Sequence, residues 1–221
     1  MIDLKPTQLD HKSLNTYSVL EEKINVYSHR LGAYLAFFAL LLFAVKGIEE
    51  GTALDIISNC IFSISMIILY TVSAKYHSET DPQKRFQLKV FDHSAIYILI
   101  AGTYTPYALS VIKGSDGWIL FSGAWVLGLI GITLKVFFTG RFKIISTLMY
   151  IFMGWAIVFY IKSIIAGMSE EGFNWLLYGG ISYTVGALIY SIKFIPLNHA
   201  IFHVFVLLGS LCHFISIFFY V

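Results

Sequence analysis

Seven long apolar runs recur along the 221-residue chain, near residues 31–48, 53–77, 90–112, 117–138, 143–166, 173–193 and 196–220. Each approaches the roughly 20 residues that an α-helix needs to cross a bilayer. In hydrocarbon every backbone amide must find its partner inside the protein, so spanning segments are helices or closed barrels. The runs are too long for barrel strands and show no alternation at period 2, which leaves helices. The expected fold class is therefore an all-α integral membrane protein, a seven-transmembrane helix bundle. Composition agrees: 57% of residues are hydrophobic and only 13% charged, against about a quarter charged in soluble domains. Residues 1–30 read as a polar tail and 31–221 as one transmembrane domain. The tail lacks the short apolar core and small-residue site of a cleavable signal peptide, so the first span is expected to serve as the targeting signal.

Charge orients the bundle. Assigned to alternate ends of the spans, Lys5, Lys12, Lys23, Arg30, Lys75, Lys84, Arg85, Lys89, Lys135, Arg141, Lys143 and Lys193 fall on one side. Lys46, Lys113 and Lys162 fall on the other and complete the 15 basic residues. Basic loops stay cytoplasmic, which predicts a cytoplasmic N-terminus and, after seven crossings, an extracytoplasmic C-terminus. On this topology the chemistry-bearing side chains gather at one depth. His77 closes the second span, Asp92 and His93 open the third, and His199 and His203 open the seventh, all near the cytoplasmic face. Between His77 and Asp92, Asp81-Pro82 reads as an N-cap followed by proline at the first helical position.

His199 and His203 are four residues apart and share one helical face. With His77 they form a three-histidine set, the pattern of catalytic zinc with one position left for water. Asp92 is placed to orient that water or take its proton, and Ser73, one turn before His77, shares its face. Each residue also has a plainer reading. The histidines can be interfacial, Asp92 can favour the positive end of a helix dipole, and Ser73 can bond its own backbone. His93 points away from Asp92. His213 lies about 15 Å beyond His203 at 1.5 Å per residue, too far to share an ion, and reads as a buried, hydrogen-bonded histidine facing the bundle. Pro106 is expected to kink the third span. Cys60 and Cys212, each isolated in an apolar segment, form no CxxC motif and read as packing residues.

The stretches EEKINVYSHRLG (21–32), SAKYH (73–77), FDHSAIYILIAGTYTPYAL (91–109) and NHAIFHVFVLLGSLCH (198–213) resemble the hemolysin III branch of the progestin and adipoQ receptor family, from about residue 20 onward. The resemblance implies a seven-helix bundle with its N-terminus inside. It assigns zinc to His77, His199 and His203, contact with a zinc-bound water to Asp92, and a motif position to Ser73. Glu22, Asn25, His29 and Gly32 match the N-terminal pattern, for which it supplies no role.

By similarity to alkaline ceramidases, which share this metal arrangement, the expected function is a zinc-dependent hydrolase of a membrane lipid amide or ester. The alternatives are pore formation or cytolysis, as the hemolysin name implies, and a non-enzymatic receptor or regulator of membrane lipid state with structural zinc. The expected location is a plasma (inner) membrane, the expected partner a membrane lipid. A retinal protein would need a lysine in the last span, and none follows Lys193. No phosphate-binding glycine loop or GxSxG elbow is present, and the basic residues already have a topological explanation that leaves none for nucleic acid.

Overall fold

The computed structural model describes residues 17–138 and 143–221. The basic residues Lys5, Lys12 and Arg141 and most of the expected tail lie outside the described residues. Among those described, the chain is wholly helical: α1 (Val19–Glu50), α2 (Ala53–Ser78), α3 (Pro82–Pro106), α4 (Gly114–Phe138), α5 (Lys143–Gly154), α6 (Ile161–Gly167), α7 (Glu170–Ser191) and α8 (Asn198–Tyr220). A 3₁₀ segment, Ala156–Tyr160, joins α5 to α6, so the described residues make seven rods. Six are long and apolar enough to cross a membrane. The remaining rod, α7, opens with Glu170 and Glu171 and carries several glycines and tyrosines, which dilute its apolar character.

Local chemistry sets the helix starts. Ser18 accepts from the Glu21 amide at 3.1 Å, and Thr52 with Asp55 closes a reciprocal capping box, each satisfying amides that have no intrahelical partner. Asp81 caps α3 by accepting from the Lys84 amide at 2.8 Å, with Pro82 behind it, as its sequence predicts. Pro106 ends the regular part of α3, and the chain continues as a π-helical turn over Tyr107–Ile112. Proline lacks the amide that the preceding turn requires, so the hydrogen-bond register changes there.

α1 begins at Val19 rather than near residue 31. Its buried residues Glu21, Asn25, His29, Gly32, Ala36, Ala39 and Phe43 recur every three or four positions, one continuous helical face. Phe37, Phe38 and Leu41 project outward. α1 packs along α2 and α8, α2 along α3, and α7 along α8. α3 is the most enclosed of the six apolar rods: 72% of its most apolar window is buried, against 28% for α1 and for α4. Cys60 and Cys212 are free and half-buried.

Candidate metal centre

His77 lies in the last turn of α2 and Ser73 one turn earlier, both buried. His199 is the second residue of α8, and His203 follows one turn later. The start of α8 is held by contacts from outside its own sequence neighbourhood. Leu197 adopts a left-handed backbone at φ 57° and ψ 26° and supplies no side-chain cap. Instead, Asn198 Nδ2 donates to the carbonyls of Tyr190 at 2.9 Å and Ile192 at 3.1 Å. The His199 amide donates to Glu21 Oε1, 3.1 Å away on α1. A carboxylate there satisfies an orphan amide and complements the helix dipole.

The three imidazoles converge through one kind of atom. His199 Nε2 stands 3.1 Å from His77 Nε2 and 3.0 Å from His203 Nε2, and all three residues are buried. On its far side, His77 Nδ1 meets Glu22 Oε2 at 2.6 Å. Two lone pairs would repel at that distance, so Nδ1 carries a proton and donates it to the carboxylate, which leaves Nε2 as the metal-ligating position facing the cluster. Carboxylate, histidine and metal are commonly arranged in this way. Tetrahedral zinc with bonds of about 2.0–2.1 Å separates its nitrogen ligands by about 3.3 Å, close to the separations observed. The residues present therefore fit a zinc ion.

Asp92, buried on α3, lies beside His77 and Ser73. Ser73 Oγ is fully buried and closes no hydrogen bond of normal geometry among the described residues. Asp92 does not join the three-histidine group, so the metal-ligating geometry involves the imidazoles alone. His93 is half-buried, and its carbonyl accepts from Tyr150 Oη at 2.9 Å. His213, remote from the cluster, donates from Nε2 to the Leu176 carbonyl at 3.2 Å, in keeping with its sequence reading.

The first turns of α1, with Tyr17 just before them, touch every imidazole in the cluster. Glu22 and Asn25 reach His77, and Glu21 holds the His199 backbone. Tyr17 stacks on the His199 ring with centroids 4.6 Å apart. His29 lies parallel to His203, with centroids at 3.6 Å and an interplanar angle of 4°. Gly32 permits this approach, because a Cβ there would stand 2.7 Å from Leu207 and 2.9 Å from the Tyr70 ring. The sequence carried a signal for this: residues 22, 25, 29 and 32 share a helical face, which a boundary at residue 30 between tail and first span cuts across.

Residues 17–214 match the Haemolysin-III related family. The chain belongs to that family. It is 43% identical to the Hemolysin-3 homolog of Bacillus subtilis (strain 168) over 204 residues, 92% of this chain and 96% of that one. It is 42% identical to Hemolysin-3 of Bacillus cereus over 206 residues, 93% and 94% of the two chains. A more distant similarity, 24% over 209 residues, links it to the human Monocyte to macrophage differentiation factor, covering 89% of this chain and 83% of that one. Tyr17, Glu21, Glu22, Asn25 and His29 all fall inside the span matched by the Haemolysin-III related family, as do the three clustered histidines. The part of α1 that encloses the cluster thus belongs to the family's common body.

Proposed function

We propose that this chain is a membrane-embedded, zinc-dependent hydrolase of a lipid amide or ester, oriented with its N-terminus in the cytoplasm of a plasma membrane. The observation that carries this reading is the meeting of three buried Nε2 atoms, within 3.1 Å of His199 Nε2, beside a buried carboxylate and a buried hydroxyl. His77, His199 and His203 would hold the ion. Zinc bound in such a site supplies Lewis acidity, which lowers the pKa of a water and polarises a carbonyl.

The chain's own groups divide the remaining work. The Asp92 carboxylate accepts the proton released as the nucleophile attacks, and afterwards returns it to the leaving group. Ser73 Oγ donates a hydrogen bond to the oxygen that gains charge. The enclosing helices keep bulk water from the reacting carbonyl. His77 and the start of α8 lie at the ends of spans, so an amphiphile can keep its headgroup near the site and its tail among the helices. The basic residues assigned to this side support a cytoplasmic position for it.

A second reading, membrane lysis, has the names of the two Bacillus relatives in its favour. Purified protein separates the two. Mass spectrometry of protein prepared in detergent without chelators should find about one zinc per chain, lost in a folded His199→Ala/His203→Ala variant. In liposomes it should then turn over lipid without releasing an entrapped dye. Dye release with no turnover would support lysis, and a metal-free wild-type protein would refute the zinc reading.

A further inference from the structure

Glu22 does two things at once. Its Oε2 accepts from His77 Nδ1 at 2.6 Å, and its Oε1 accepts from an Arg85 Nη2 at the start of α3. Arg85 is held in turn, since its Nη1 donates to the Glu79 carbonyl at 3.0 Å and its guanidinium lies 5.0 Å above the Tyr76 ring. The Glu22–Arg85 pair is itself mostly enclosed, with side chains 19% and 14% exposed, so solvent screens it only in part. The contact with His77 is more enclosed still, for that imidazole has no exposed surface.

Imidazole has two neutral tautomers, and only the Nδ1–H form leaves Nε2 free to ligate. In the other tautomer, Nδ1 would set its lone pair against a carboxylate oxygen at 2.6 Å. Asn25 Nδ2 approaches the same Nδ1 at 3.3 Å, but the shorter, charge-assisted contact decides where the proton sits. Among the described residues, neither His199 Nδ1 nor His203 Nδ1 closes a hydrogen bond of normal geometry, and the backbone of Asn25, which lies near His203, carries no charge. His77 is thus the one histidine of the three whose tautomer is fixed from outside the cluster by a charged group.

We infer that Glu22, anchored by Arg85, is a positioning residue that holds His77 in the Nδ1–H tautomer with its Nε2 aimed at the cluster. As a statement about metal affinity this rests on the zinc reading above; as a statement about the tautomer it does not. Outer-shell partners of this kind commonly change metal affinity by about 10–100-fold. The Arg85 link also makes the turn between α2 and α3 part of the support, so a change at Arg85 should reach the centre through Glu22.

Two variants and two readouts test this. Glu22→Leu keeps the side-chain bulk and removes the acceptor, whereas Glu22→Gln keeps an acceptor oxygen and removes the charge. Zinc affinity, read by competition with a chromogenic chelator, should fall about 10–100-fold in Glu22→Leu, and by less in Glu22→Gln. Arg85→Lys should cause a smaller loss in the same direction. ¹⁵N spectra of metal-free, histidine-labelled protein should show His77 as the Nδ1–H tautomer in the wild type and a mixture in Glu22→Leu. Wild-type affinity in Glu22→Leu, or an Nε2–H His77 in the wild type, would overturn the inference. If the wild type binds no zinc, the proposed function fails while the tautomer spectrum still decides the role of Glu22. If Glu22→Leu does not fold, the wild-type spectrum and the Arg85→Lys titration decide it.

Discussion

Replacing Gly32 with alanine tests whether the close approach of α1 is a packing requirement or an accident of composition. The added methyl would stand 2.7 Å from Leu207 Cδ2 and 2.9 Å from Tyr70 Cδ1 and Cγ, well inside ordinary contact. Leu207 can swing its methyl aside. Tyr70 cannot easily follow, because it is buried and its hydroxyl donates to Ser210 Oγ at 2.6 Å. Overpacking of this kind costs about 1–3 kcal/mol, and the better helix propensity of alanine offsets about 0.5–1 kcal/mol of it. The net loss is about 0–2.5 kcal/mol. For a chain of this size each kcal/mol lowers the melting temperature by about 2–4 °C, so thermal unfolding in detergent should shift down by as much as about 10 °C. Gly123 is the matched control: a Cβ there meets nothing within 4 Å, so Gly123→Ala should leave the melting temperature unchanged or raise it. If Gly32→Ala proved as stable as Gly123→Ala, α1 would not be seated against Tyr70 and Leu207 as described.

Two further outcomes follow from the same geometry. A Cβ at Gly179 would run into the His213 imidazole, so Gly179→Ala should lower stability by about 1–3 kcal/mol. Adding His213→Ala should recover part of that loss, which a double-mutant cycle in thermal unfolding would register as coupling. Asp92→Ala should leave zinc content near the wild-type value and reduce lipid hydrolysis by at least about 100-fold, the low end for removal of a general base. Retained activity in that variant would exclude Asp92 as the proton acceptor.

Much of the site was legible because its spacing is local. His199 and His203 are a turn apart, and Ser73 and His77 likewise, so helical periodicity alone puts each pair on one face. The charge pattern then set the ends of the second, third and seventh spans at a common depth, and the three imidazoles do meet there. The capping of α3 by Asp81 and the irregular turn after Pro106 also follow from their own residues. The first span was harder to delimit. Glu21, Glu22, Lys23, Asn25, His29 and Arg30 dilute the apolar signal, and a hydropathy reading starts the helix only where they end. The structure carries it back to Val19, because the polar residues on its inner face have polar partners on α2, α3 and α8.

The apolar runs by themselves determined that this protein is a helical bundle in a membrane, since no other arrangement satisfies so many backbone amides away from water. The tertiary structure alone decided that α1 completes the histidine cluster. Glu22 and His77 are 55 residues apart in the chain, and Glu21 and His199 are 178 apart, so no periodicity connects them. Helical period indicates which residues share a face but not which helix that face will meet. In lipid, where apolar surface gains little by leaving its surroundings, that choice falls to close packing at small residues such as Gly32 and to hydrogen bonds between helices.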